Sequence, residues 1–219
     1  MGHGLVKEIS FTDDLSLDVL NSNVQYATLS SRLWGIDWKK YFPIELDNGQ
    51  FYIVHGDFFR FEKSINKVLS FKASMENNGD PFLSEDFSVE KRKYYQELSD
   101  TFLICEKDRI IPIGMFIGTV FDWSTFYARY TYLLPEYRGS KIYQRFFSSL
   151  LDVLKQHNVS RVMADVAPHN TRSLHVLFKL GFNISGTVLS ERWGALVQST
   201  CFLKNENKSI FNQQFCQNF

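Results

Sequence analysis

Apolar positions recur along this chain in two rhythms, and the changes of rhythm mark its elements. From Ile142 onward they fall at 142, 146, 150 and 154, with 143, 147 and 151 beside them, while Gln144, Arg145, Ser148, Asp152 and Lys155 lie off that stripe. Steps of three and four gather the apolar set on one face of an amphipathic helix of about four turns. It ends near His157-Asn158. Val159 to Ala167 reads as a strand stopped by Pro168, Asn170 caps a short helix running to Leu180, and Gly181 ends that helix. Two further strands are predicted near 183–192 and 195–203. Earlier in the chain, Phe51 to Val54 is a short strand. Apolar residues at 58, 61, 65, 68 and 69 predict a helix from Asp57, its N-cap, to Met75, closed by Asn77-Asn78-Gly79-Asp80-Pro81. A second helix covers Ser88 to Leu98. Phe102 to Cys105 is a strand, Glu106 to Arg109 a hairpin turn, and Ile110 to Val120 the partner strand. The aromatic and β-branched run at 125–134 is a third strand. The Asn- and Gln-rich tail, 204–219, has no period and stays unassigned.

Residues 1–50 carry turn chemistry at Asp13-Asp14, Asn21-Ser22-Asn23 and Asp47-Asn48-Gly49, and an aromatic cluster of Trp34, Trp38, Tyr41 and Phe42 ending at Pro43. The stretch reads as an N-terminal extension packed on the rest, or as a lid over an apolar site. The domain proper is expected at 51–203.

Composition narrows the function classes. Of 219 residues, 44% are apolar and 22% charged, enough to bury a core and too apolar for a disordered chain. Lys+Arg and Asp+Glu stand at 24 each, which argues against a protein that tracks nucleic-acid phosphates. No apolar run reaches the ~18 residues of a membrane span. The first residues lack a cationic region followed by an apolar stretch, so no secretory signal is expected, and Val6 breaks the myristoylation pattern. Three widely spaced cysteines, Cys105, Cys201 and Cys216, read as reduced thiols in a cytoplasmic protein. Neither they nor the five histidines have metal-ligand spacing, so no metal is expected. Gly114 and Gly118 lack the third Gly and the helix start of a dinucleotide fingerprint.

The informative unit is a strand, a turn and the long helix: Leu133-Leu134-Pro135-Glu136-Tyr137-Arg138-Gly139-Ser140-Lys141-Ile142-Tyr143. A tight Arg-Gly turn opening a helix exposes unpaired backbone N–H groups, and with the helix dipole they form an anion site suited to a diphosphate. Arg138 adds a cation and Ser140 a hydroxyl. The same residues also read as an ordinary helix-capping turn. A second unit follows a strand: Asn170-Thr-Arg-Ser173, then Leu180-Gly181-Phe182.

Together the two units resemble the GNAT superfamily of acyl-CoA-dependent N-acetyltransferases, over residues 100–203 or 51–203. The resemblance implies an α/β (α+β) fold with a mixed, mostly antiparallel sheet, helices on both faces and a splay between two strands. It implies acetyl-CoA as the donor, its diphosphate held by the amides from Arg138 to Tyr143, through Gly139, Ser140, Lys141 and Ile142. The pantetheine arm would run along Leu133 and Leu134, with Asn170 and Ser173 also touching the cofactor. A backbone N–H at Leu133 or Leu134 would polarise the thioester carbonyl if the strand bulges there. This chain departs from the family at Lys141 and Tyr143, where small residues are usual, and at Leu177, where many members place a Tyr that acts as general acid.

The implied reaction is acetyl transfer to a primary amine on a small molecule or peptide, by direct attack in a ternary complex. Candidate bases are Glu136, in the turn, Asp165, near the end of a strand, and His169, beside Asn170. Each also reads as a surface residue. A long-chain acyltransferase fed by an acyl carrier protein and a non-catalytic coenzyme A-binding module are the alternatives. An edge strand near the C-terminus leaves a homodimer open.

Overall fold

Alternating side chains build one eight-stranded sheet in the computed structural model, which describes residues 28–56, 90, 93, 97–107, 112–190 and 193–215. The strands are β1 (Ile44–Leu46), β2 (Phe51–Gly56), β3 (Ser99–Glu106), β4 (Pro112–Asp122), β5 (Thr125–Leu133), β6 (Arg161–Val166), β7 (Asn183–Ser190) and β8 (Gly194–Phe202). The helices are α1 (Leu29–Trp34), α2 (Ile142–Gln156), α3 (Thr171–Lys179) and α4 (Asn205–Phe215). Spatial order is β1-β2-β3-β4-β5-β6-β8-β7. Every neighbouring pair is antiparallel except β5 and β6, so the mixed, mostly antiparallel sheet expected from the sequence is the one observed.

That parallel pair shapes the molecule's cleft. β5 and β6 pair only over Thr125–Tyr127 and Arg161–Met163, then separate while each strand continues. Their closed end is pinned by polar contacts. Arg161 donates from Nε to Thr125 Oγ1 at 2.7 Å and from Nη2 to Asp122 Oδ2 at 3.2 Å, and Asp122 also accepts from Ser124 N at 2.7 Å. The other end lies open.

α2 fulfils the predicted stripe: Ile142, Phe146, Phe147, Leu150 and Leu154 are fully buried. Phe146 lies 5.4 Å from both Phe102 and Phe116, centroid to centroid, and Phe147 lies 5.4 Å from Phe116. Burying each of these rings contributes roughly 1.5–3 kcal/mol. The described part of the expected extension enters the same core. Trp38 and Phe42 are buried with ring centroids 5.2 and 4.8 Å from Phe102, and β1 adds a strand to β2. The Phe42–Pro43 peptide bond is cis.

Several boundaries moved. β3 begins at Ser99 rather than Phe102, because buried Asp100 continues the strand, its carboxylate accepting from Thr28 Oγ1 at 2.7 Å and lying 3.2 Å from His55 Nε2. Hydrophobic patterning cannot see a buried carboxylate. β4 runs on to Asp122 and β5 stops at Leu133; the last two residues of the strand expected at 183–192 lie outside the described residues. The tail forms α4, anchored by Phe211 at 5.0 Å from the Phe202 ring. The expected helix 57–75 and its stop at 77–81 lie outside the described residues; of the expected helix 88–98, residues 90, 93, 97 and 98 are helical.

The register between β4 and β5 slips beside Gly118, leaving Arg129 as an extra residue on β5, and slips again between Val120 and Asp122. Gly118 serves packing here: a Cβ on it would meet Phe126 Cζ at 2.1 Å, and Phe126 has no exposed surface through which to move. Gly118→Ala is therefore expected to destabilise the fold by about 1–3 kcal/mol, read as a lowered urea midpoint at unchanged slope.

Candidate active site

Beyond Tyr127 the separating strands open a cleft of about 1280 Å³. Its walls are β5 from Tyr127 to Leu133, the end of β6 from Ala164 onward, the turn leading into α2, and α3; Trp193 and Leu196 also line it.

The turn is built for an exposed backbone. A short 3-10 segment, Pro135–Tyr137, follows β5. Gly139 then takes φ +87°, and open space surrounds the position where a Cβ would stand. Lys141 follows at φ +64°, in the left-handed region that costs a side-chain-bearing residue roughly 1–2 kcal/mol. The first α2 bond is Arg145 N to Lys141 O at 3.0 Å, and no side chain caps the helix. The N–H groups of Ile142, Tyr143 and Gln144 are thus the orphan donors of the first turn. α3 differs: Asn170 Oδ1 accepts from Ser173 N at 3.2 Å. Two contacts brace the turn. Arg138 donates from Nε to Leu133 O at 2.9 Å, its guanidinium 5.5 Å from the Tyr132 ring centroid, and the Ser140 hydroxyl donates to Tyr137 O. Arg145 grips both carboxylate oxygens of Asp47. This frame fits a diphosphate, which would meet the α2 dipole and three N–H donors.

Of the residues expected at a cofactor site, Leu133, Arg138, Gly139, Lys141, Ile142, Tyr143, Asn170 and Ser173 line the cleft. Leu134 and Ser140 do not. Leu134 packs on the core and its N–H donates to Ile113 O at 2.8 Å, so that amide is already spent. The alternation of an antiparallel ladder then turns the Leu133 N–H away from β4, toward the gap. The bulge expected at Leu133 or Leu134 lies instead at Arg129; from Tyr130 to Leu133 the register is regular. Tyr143 rests its ring 5.4 Å from Phe147, and its hydroxyl accepts from Thr131 Oγ1 at 3.3 Å. Leu177 is buried in the core.

Among the three candidate bases, Asp165 lines the cleft, whereas Glu136 and His169 are exposed and do not. Tyr127 donates its hydroxyl to Asp165 Oδ2 at 3.0 Å, and Oδ1 is buried with no hydrogen-bond partner. Burial first, and the Asp165 charge second, push the Tyr127 pKa up, so the phenol stays a donor. The sequence alone missed Tyr127, because only the register Tyr127↔Met163 brings it near Asp165, two residues along β6. No group of three or more His, Cys, Asp or Glu among the described residues could hold a metal ion, and no described helix is long and apolar enough to cross a membrane.

Comparison with known proteins adds the following. The Acetyltransferase (GNAT) family model matches residues 71–182, just over half of the chain. The structure of ribosomal-protein-S5-alanine acetyltransferase from Vibrio fischeri is similar, with a TM-score of 0.58 and 20% identity over 74% of this chain and 97% of that one. Spermidine N-acetyltransferase from Vibrio cholerae, in complex with CoA and spermine, gives 0.51 and 16% over 71% and 97%. At these identities the likeness is one of fold. No curated protein sequence matches the chain.

Proposed function

Because the chain belongs to the GNAT acetyltransferase family, we propose that it moves an acetyl group from acetyl-CoA to a primary amine by direct attack in a ternary complex. The observation that carries this reading is the cleft itself: one space joins the uncapped α2 N-terminus, the open edge of β5 and the Asp165 carboxylate. Acetyl-CoA supplies an activated acetyl thioester. The first-turn amides of α2 with Gly139 hold its diphosphate, and the Leu133 N–H points into the gap as a donor for a carbonyl oxygen.

An alkylamine near neutral pH is an ammonium ion and must lose a proton before it attacks. The Asp165 carboxylate is the acceptor for that proton, with Tyr127 fixing it through Oδ2. Tyr127, Tyr130, Tyr132 and Trp193 line the same cleft, and aromatic faces attract a cation.

Direct attack is favoured because the described cysteines are poor nucleophiles. Cys105 and Cys201 are buried and do not line the cleft, and burial pushes their thiols up to about 12 and about 11. Cys216 lies outside the described residues. Cys105 also yields a stability prediction. Its folded pKa lies above the ordinary value of 9.0, so its contribution is complete below pH 9 and fades as pH rises toward 12. Urea titrations are expected to show stability falling across that window, less steeply in Cys105→Val.

The experiment for the function is acetyl-CoA-dependent thiol release across a panel of polyamines, aminoglycosides and peptide N-termini, with intact-protein mass spectrometry alongside. Steady release with at least one amine and no acetylated enzyme supports the reading. A covalent acetyl-enzyme would defeat direct attack, and silence across the panel in a protein that binds acetyl-CoA would favour a non-catalytic module.

A further inference from the structure

Asp165 has a charged counterpart across the gap. β5 and β6 part after the rung that pairs Tyr127 with Met163. Two residues beyond that rung stand Arg129 on β5 and Asp165 on β6, at matching steps of two parallel strands. Both line the cleft. Arg129 is the extra residue of the β5 bulge, between the rungs Gly118↔Ala128 and Ile117↔Tyr130. A bulge takes one residue out of the ladder and re-aims its side chain. Arg129 is exposed there. Both charges reach the same phenol: burial raises the Tyr127 pKa most, the Asp165 charge adds to that rise, and the Arg129 charge opposes it. An anion and a cation thus flank one stretch of the cleft. The rest of the described lining brings Arg138, Lys141, Arg172, His175 and Lys179 and no second carboxylate. A polyamine would carry its further ammonium groups into those cations, with one carboxylate to meet them all.

We propose that the acceptor is a zwitterion, an α-amino acid with an apolar side chain, and that Arg129 selects it by holding its carboxylate while Asp165 meets its ammonium group. The proposal rests on the function above and names its acceptor. Near neutral pH an α-amino acid carries one charge of each sign, so it answers both sides of the gap at once. The planar guanidinium fork takes two carboxylate oxygens together. Arginine has five N–H donors, so a partner elsewhere on the group leaves donors for a ligand. Ile117, Tyr127, Tyr130, Trp193 and Leu196 line the same cleft and suit an apolar side chain. The chemistry balances as for any amine. The nitrogen bonds the acetyl carbon as the C–S bond breaks. Of the two ammonium protons lost, one passes through Asp165 to solvent and one goes to the coenzyme A thiolate.

The test follows thiol release by the full chain from acetyl-CoA with L-leucine and L-phenylalanine. Each is set against the amine that lacks its carboxyl group, isoamylamine and phenethylamine, and both against spermidine. Each pair shares its side chain and an alkylamine of similar basicity, so the carboxylate is the variable. The wild type is expected to favour at least one amino acid over its amine by about tenfold or more in kcat/KM. Arg129→Ala is expected to erase that preference through KM for the amino acid, and Arg129→Lys, which keeps the charge without the fork, to restore part of it. The wild-type comparison needs no variant, so a misfolded variant does not spoil the test. Amines that match or better both amino acids in the wild type would overturn the assignment. So would an equal KM rise for amino acid and amine in Arg129→Ala, or turnover confined to spermidine or peptides. Each of these leaves the proposed function standing. Silence with every amine, in a protein that binds acetyl-CoA, would overturn both.

Discussion

Gly139→Asp is expected to weaken acetyl-CoA binding at least about a hundredfold while the protein stays folded. Gly139 sits at φ +87° in open space, so an added side chain collides with nothing. Asp tolerates the left-handed region better than most residues, and a carboxylate close to a helix N-terminus does not harm the helix. What changes is the charge at the anion site. Two like charges about 4 Å apart repel by about 4 kcal/mol at an effective dielectric of 20, which corresponds to roughly a thousandfold. Gly139→Asn, nearly the same size and neutral, isolates the backbone cost and is expected to lose less than about tenfold. Calorimetry on the two variants checks this. Similar losses from both would mean that the turn matters through its backbone alone, not as a site for phosphate.

The second large effect is on turnover. Asp165→Asn is expected to lower kcat by about 10²–10⁴-fold with acetyl-CoA affinity unchanged. The amide oxygen can still accept from the Tyr127 hydroxyl, which Asp165 accepts at 3.0 Å, so the local geometry survives. The lost function is uptake of the ammonium proton. The residual rate should therefore climb with pH, as solvent takes over that proton. Tyr127→Phe removes only the contact that fixes the carboxylate and is expected to cost less. Wild-type kcat in Asp165→Asn would move the base to another group.

Much of this was legible in the chain before any coordinates, and the reason is local. The stripe from Ile142 to Leu154, the Arg138-Gly139 turn and the Asn170 cap are short-range patterns in which spacing alone dictates geometry. The family resemblance rested on those segments, and the family match covers both. What stayed hidden depends on register and on distant partners. Asp47 and Arg145 are 98 positions apart, yet their ion pair steadies the turn. Asp100 reads as a break in a strand until Thr28 and His55 are seen to hold it. Gly114 and Gly118 do not fit a dinucleotide fingerprint, and the pattern assigns them no other role, whereas each lets a neighbour approach closely: Tyr132 O stands 2.7 Å from where a Gly114 Cβ would be. Glu136 and His169 sit beside the right motifs in sequence but off the cleft in space, while Tyr127, which pattern reading treated as one more strand aromatic, is the partner of Asp165.

The central claim is that the gap between β5 and β6 receives acetyl-CoA with its diphosphate on the α2 N-terminus. Calorimetric titration of acetyl-CoA into the wild-type protein tests it most directly. Saturable, one-to-one binding in the micromolar range is the predicted result. A folded protein, verified by a cooperative melt in the same buffer, that gives no saturable heat with millimolar acetyl-CoA would contradict the account.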